Sequence, residues 1–446
     1  MNQPLTNPSP DLPPRAAALT LPPIPQVPAG WTLSALVGGL LGGLALAFYA
    51  PQALPPVLAI SGPVGDLWLR ALQATIVPLV AALLFTGIVQ TVATASAGAL
   101  ARRAVATFFL LLAFGAVVGM GITSLLLDIW PIPGSAGEAL RSSLAAPPSG
   151  PVPGLADYLL SIVPTNVLDA AAKDRMLPMI LFMAVFAIAS TRLIASQRDL
   201  LATFFAAIAS AMLVVIGWVL ALAPVGVLAL SLTVAAKSGP AAIGALAHYV
   251  VVVTLTGSVV FLAAYAVAVV GARKRLGAFA RAMLPVQAFA LSTQSSLASL
   301  PTMLGACKNL KARETTAEFV LPLAVSLFRA TSPAMNLAVV VYVARWYAVD
   351  LTPQVLISGG IMAVLVALSS VSLPGTISFI ASVGPIALAM GVPVAPLALL
   401  VAVEVLPDLM RTLGNVTMDV AVTCAVDRAT FDADATDRAE HAPDRA

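Results

Sequence analysis

The 446-residue chain is short of charge, cysteine and histidine. Only 10% of its residues are charged against 60% hydrophobic, and mean hydropathy is +0.98, well outside the range of soluble domains. Cys307 and Cys424 stand too far apart in sequence to suggest a disulfide framework, and their flanks carry no metal motif. His248 and His441 share no ligand spacing, so neither a zinc or haem enzyme nor a resident cofactor is expected. No nucleophile–base constellation surrounds His248, which argues against a membrane enzyme. Nothing points to a nucleic-acid partner. Acidic residues are missing altogether between Asp199 and Glu314.

What fills the chain is apolar sequence in runs long enough to span a bilayer, near 32–50, 74–95, 104–127, 177–191, 200–235, 246–272, 319–344 and 395–426. The expected fold is an all-α membrane protein with about eight spans, the run at 200–235 being long enough to tilt or bend. Residues 1–30 form a Pro-rich polar tail without the apolar core of a secretory signal. Residues 427–446 are rich in Asp, Arg and Ala and are expected to be disordered.

Charge placement sets the orientation. Arg273, Lys274, Arg275 and Arg281 form one basic cluster; Lys308, Lys311 and Arg313 form a second. Both should lie in the cytoplasm with Arg102 and Arg103. Met283–Ala306 must then leave and return on one side, and it is too short for two spans of about 20 residues each. It reads as a re-entrant hairpin with the polar tip Ser292-Thr293-Gln294-Ser295-Ser296. A second hairpin follows, with Ser369-Ser370-Val371-Ser372-Leu373-Pro374 at its tip. Each hairpin precedes a polar-interrupted helix, so 276–345 and 354–426 read as repeats. Paired discontinuous segments of this kind point to a transporter's binding site.

The strongest signal is a polar stripe in the last apolar run. At about 100° per residue, Glu404, Asp408, Arg411, Thr412, Asn415 and Asp419 fall within an arc of roughly 100°. Each charge at a bilayer centre costs on the order of 2.5–3.5 kcal/mol, so the stripe must face protein, water or a solute. In the first repeat Arg329 is a further charge, at an interruption that ends in Pro333.

These residues resemble the dicarboxylate/amino acid:cation symporters, the glutamate transporter homologues. Asp408-Leu-Met-Arg411-Thr412-Leu-Gly-Asn415-Val416-Thr417-Met-Asp419 is similar to that family's last-helix motif. Ile162-Val-Pro164-Thr165-Asn166, Leu177-Pro178, Ala223-Pro224-Val-Gly226, Leu300-Pro301 and Leu321-Pro322-Leu323 fit in the same order. The resemblance implies inverted repeats and a homotrimer. Its scaffold would come from residues 31–270, together with helices packing on a transport core at 271–426 that moves like an elevator. It implies that Asp408 holds a substrate ammonium and that Arg411 holds a substrate carboxylate. Thr412, Asn415, Ser296 and Ser332 become further substrate contacts, and Asp419 and Asn415 become sodium ligands.

Three departures matter. Phe328-Arg329-Ala330-Thr331-Ser332 stands where the family carries its sodium-binding Asn-Met-Asp-Gly-Thr motif. Gln294 stands where many prokaryotic members have arginine, and Ile377 replaces a small glycine. The expectation is an inner-membrane carrier for a small acidic amino acid, set in the lipid bilayer, with Na⁺ or H⁺ as coupling ion. Glu404 and Arg329 would take part in that coupling, Arg329 as a tethered cation that reduces dependence on sodium. A C4-dicarboxylate carrier and a non-transporting carboxylate sensor are the alternatives.

Overall fold

The computed structural model describes residues 29–96, 98–133, 163–173, 176–238, 241–369 and 375–440, and every regular element among them is helical. Five stretches are long and apolar enough to cross a membrane: Pro51–Ala95, Ala99–Ile129, Ala195–Ala221, Ile243–Gly271 and Glu314–Trp346. Several shorter apolar helices accompany them.

One layer is built from α1 (Ala29–Tyr49), α2 (Leu54–Gln73) and the later α8 (Ala223–Ser238), with α8 packed on both α1 and α2. Gly43 lets α1 approach the α8 backbone: a Cβ there would lie 2.5 Å from the Leu232 carbonyl. Helix α2 was hidden by its composition, because Pro55, Pro56, Pro63, Asp66 and Arg70 dilute its hydropathy. The two leading prolines occupy the first turn, where a missing N–H costs nothing. Ser61, Gly65, Trp68, Leu69 and Leu72 then supply a buried stripe of helical period.

The run at 200–235 is two helices rather than one bent span. It ends α7 (Ala195–Ala221) at Leu222 and restarts as α8, with Pro224 in the first turn. Between these layers lie α3 (Ile76–Ala95), α4 (Ala99–Ile129), α5 (Val167–Ala172) and α6 (Met176–Ser190). Helix α3 packs on α6 and α7.

The second half shows one order of elements twice. First come α10 (Leu276–Thr293) and α11 (Leu300–Asn309), then α12 (Glu314–Leu327), a non-helical link, and α13 (Ser332–Trp346). Then come α14 (Pro353–Ser369) and α15 (Gly375–Ala389), followed by α16 (Ala395–Leu400), a turn, and α17 (Val405–Glu440). At about 1.5 Å per residue the ten residues of α11 rise roughly 15 Å, half a bilayer, as a re-entrant arm requires. The first tip turns at Gln294, which ends α10 in the left-handed region at φ 50°. The second tip, including Ser372, lies outside the described residues, and so does the side chain of Ile377. Pro301, Pro333 and Pro396 all stand in first turns. Pro333 therefore starts α13 instead of breaking a continuous helix, as its position suggested.

Helix α13 is the centre of the molecule: every residue except Arg345 is buried. It packs against α4, α14, α15 and α9 (Ala241–Ala266), while α17 packs against α9, α10, α11 and α12. The basic clusters meet at one end. There Lys274 donates to the Leu310 carbonyl at 2.7 Å, and Arg313 Nε pairs with Asp427 Oδ1 at 2.7 Å. Arg428 donates to the Gly271 carbonyl at 3.1 Å. These bonds correct the expectation of a disordered tail from 427. The helix runs on to Glu440, and Asp427 is only 9% exposed because Arg313 holds both its carboxylate and its backbone carbonyl. The thiols of Cys307 and Cys424, unrelated in sequence, are neighbours between α11 and α17, and both are free.

The contact between α4 and α13 depends on Gly119, where a Cβ would lie 2.5 Å from the Ala334 carbonyl oxygen and 2.8 Å from its Cα. Backbone cannot yield as a side chain tip does. Gly119→Val should therefore lower stability by about 1–3 kcal/mol. Gly121→Ala, two residues along with open space around it, should raise stability by up to about 1 kcal/mol. Thermal unfolding of the purified protein in one detergent measures both.

Candidate functional site

Two interruptions make the site. In the first repeat α12 ends at Leu327, and Phe328–Thr331 is unwound before α13 begins. In the second, α16 ends at Leu400, and residues 401–404 form a turn before α17. Glu404 thus precedes the helix rather than lying within it. Its carbonyl accepts from the Asp408 N–H at 2.9 Å, so it caps α17 and keeps the angular place that the stripe gave it.

Arg411 is the hub. Its Nη2 donates to Glu404 Oε1 at 2.6 Å and its Nη1 to Asn336 Oδ1 at 2.6 Å, while its Nε faces Asp408 Oδ1 at 3.4 Å. Glu404 in turn accepts from the Tyr249 hydroxyl at 3.1 Å through its second oxygen. All of these side chains are buried, Asp408 the least so. A guanidinium at this depth, with its fork met by a carboxylate and an amide oxygen, is held in one orientation.

Asn415 ties the two interruptions together. Its Oδ1 accepts from the Thr331 N–H at 3.0 Å and from the Thr331 hydroxyl at 2.8 Å. That hydroxyl also donates to the Arg411 carbonyl at 3.1 Å. The unwound backbone of one repeat is therefore satisfied by the last helix of the other, which is what non-helical structure at membrane depth demands. Thr412 spends its hydroxyl on the Asp408 carbonyl at 3.0 Å. Ser332 is buried at the start of α13, its N–H bonded to the Arg329 carbonyl at 3.0 Å. Ser296 lies partly exposed in the tip turn between α10 and α11, both of which reach α17.

Asp419 is 1% exposed, and neither of its carboxylate oxygens has a hydrogen-bond partner among the described residues. Arg329, on the unwound segment, is close enough to act electrostatically on Asp408, Asp419 and Arg411. As a sodium ligand set, Asp419 fits well: two buried oxygens are open to a hard cation. Asn415 fits less well, because Thr331 already takes its amide oxygen. Sodium here would be cargo.

The stripe residues are thus brought together as expected. Sequence reasoning missed Asn336, Tyr249 and Thr331. Asn336 was within reach as the lone amide in an apolar helix, one turn beyond Ser332. Tyr249 gave no signal, since it sits 155 residues from Glu404 in a run of valines.

The tie at Thr331 can be measured. Asn415→Leu should leave two buried donors without an acceptor, at about 1–3 kcal/mol each, while Thr331→Val should cost less because Asn415 still receives the backbone N–H. The ranking of the two variants in thermal unfolding checks it.

A family profile described as the sodium:dicarboxylate symporter family matches residues 29–429. The chain is 25% identical to the proton/glutamate-aspartate symporter of Escherichia coli (strain K12), over 86% of this chain and 88% of that protein. It is also 25% identical to the proton/sodium-glutamate symport protein of Bacillus subtilis (strain 168), over 88% and 91%. It is 24% identical to C4-dicarboxylate transport protein 2 of Polaromonas naphthalenivorans (strain CJ2), over 88% and 86%. With a helical membrane fold, repeated interrupted helices and a profile match along nearly its whole length, this chain is a multi-pass inner-membrane protein and belongs to the sodium:dicarboxylate symporter family.

Proposed function

We propose that the protein is a secondary carrier for a small acidic amino acid, with Arg411 holding the substrate's side-chain carboxylate and Asp408 its ammonium. The observation that carries this reading is the buried Arg411 guanidinium, with Asp408 one turn away on the same helix. A planar cation presents parallel donors to a carboxylate, and an adjacent carboxylate on the same face selects for an ammonium. Thr412, Asn415, Ser296 and Ser332 complete the substrate shell in this reading. The relatives named for glutamate and aspartate support it. Those named for C4-dicarboxylates support the second reading, in which Asp408 meets no ammonium.

Coupling follows from charge. Glu404, Asp408 and Asp419 against Arg411 and Arg329 leave the site at −1 if all are ionised, and an acidic amino acid brings it to −2. A negative site at membrane depth calls for bound cations, and Arg329 already supplies one tethered charge. Two places remain for mobile positive charge: a proton on Glu404 and one cation at Asp419. Dependence on sodium should be weak. The outer layer of α1, α2 and α8 suits the scaffold of a trimer against which the core slides, the arrangement the resemblance implies.

Uptake into proteoliposomes, with Na⁺ and pH varied independently and ionic strength held with choline, tests the reading. Arg411→Ala should lose about 3–5 kcal/mol of binding for aspartate and glutamate while remaining assembled. Asp408→Asn should weaken aspartate far more than succinate. Tighter binding of succinate than of aspartate by the wild type would favour the C4-dicarboxylate carrier, and binding without counterflow would favour a sensor. A steep Na⁺ dependence, with several ions per substrate, would make Arg329 a structural residue.

A further inference from the structure

Arg411 cannot receive a substrate carboxylate in the arrangement described above, because the protein already provides one. Glu404 Oε1 sits on Nη2 at 2.6 Å, Asn336 Oδ1 sits on Nη1 at 2.6 Å, and Asp408 covers Nε. Glu404 belongs to the turn ahead of α17, so withdrawing it takes a side-chain rotation and leaves the helix in place. Beside the same guanidinium, Asn336 carries a buried Nδ2 donor with no hydrogen-bond partner. A carboxylate replacing Glu404 would find the freed guanidinium edge and, next to it, an amide donor that nothing else uses. An unused buried donor is costly unless a ligand takes it.

We propose that Glu404 is a proton-binding site whose ionised form competes with substrate for Arg411. One proton must bind Glu404 before one substrate carboxylate can bind. In the empty carrier the Glu404 carboxylate neutralises Arg411. Protonation turns it into a neutral acid, the guanidinium loses its internal partner, and the substrate's carboxylate takes its place on Arg411 and the Asn336 amide. Charge at the hub is conserved: one carboxylate leaves the pair and one enters. The groups facing Glu404 are Arg411 and Asp408 from α17 and Tyr249 from α9; the Asn336 amide from α13 is neutral. Tyr249 acts as a positioning residue, its hydroxyl donating to Glu404 Oε2 at 3.1 Å and favouring the ionised form. Its ring meets Tyr342 edge-on with centroids 5.4 Å apart, and Tyr342 is bonded to His248 Nδ1 at 3.0 Å, which buttresses that position. The inference rests on the reading of Arg411 as the substrate anchor. It adds where the proton binds and why it must bind first.

The test is calorimetric titration of the purified protein in nanodiscs with aspartate and with succinate. Titrations are run from about pH 5 to about pH 9 in buffers of different ionisation enthalpy. Wild-type affinity should fall by about tenfold per pH unit on the alkaline side, with one proton taken up per substrate. Glu404→Gln should bind without pH dependence and without proton uptake. Tyr249→Phe should move the midpoint to higher pH, a displacement that a merely structural tyrosine would not produce. Substrate binding with a flat pH profile in the wild type would overturn the proton site alone, as would unchanged proton uptake in Glu404→Gln. No binding of either ligand at any pH would remove the substrate reading, and this proposal with it.

Discussion

The ion pair between Arg411 and Glu404 sets the terms for everything packed around it. Two charges at membrane depth cost several kcal/mol each to desolvate, and the pair is tolerable only with tight geometry and with its remaining donors and acceptors occupied. Asn336 takes the second arm of the guanidinium and Tyr249 the second oxygen of the carboxylate. Those two residues come from α13 and α9, so the pair binds three helices to one another. The near-complete burial of α13 follows, since a helix that carries Asn336 to Arg411 must lie between α4, α9, α14 and α15.

The same constraint explains the interruptions. A continuous helix satisfies its own backbone and offers nothing to a ligand, whereas a break at membrane depth exposes polar groups that must be matched. At the first break the Asn415 side chain and the Arg411 carbonyl absorb the polar groups of Thr331. At the second, Glu404 caps α17. Prolines at the starts of α11, α13 and α16 fix where helices resume, because the first turn is the one place where a missing N–H is harmless. The repeat in the sequence is thus a repeat of start signals as much as of apolar runs.

At the other end of the molecule a second, weaker set of bonds gathers the chain. Lys274 to Leu310, Arg313 to Asp427 and Arg428 to Gly271 join the end of α9, the first hairpin and α17. Partly exposed pairs of this kind contribute modestly one by one. Together they hold the hairpin, α9 and α17 in register, so that the hub on α17 and Tyr249 on α9 keep their spacing.

By itself the sequence settled the membrane class, the helical content, the two interrupted halves and the face of the last helix that carries the charges. These are legible because hydropathy and a period of 3.6 are local properties, and because a charge inside an apolar run is conspicuous wherever it occurs. Helix α2 escaped notice because its prolines and charges lower the local average, although its buried stripe keeps helical spacing. The tail from 427 was misread because composition cannot register a partner as remote as Arg313. Only the tertiary structure decided which groups occupy Arg411, that Asn415 serves Thr331, and that Asp419 is left with two open oxygens. Those outcomes depend on pairs such as Tyr249 with Glu404, 155 residues apart, whose meeting is set by how whole helices pack.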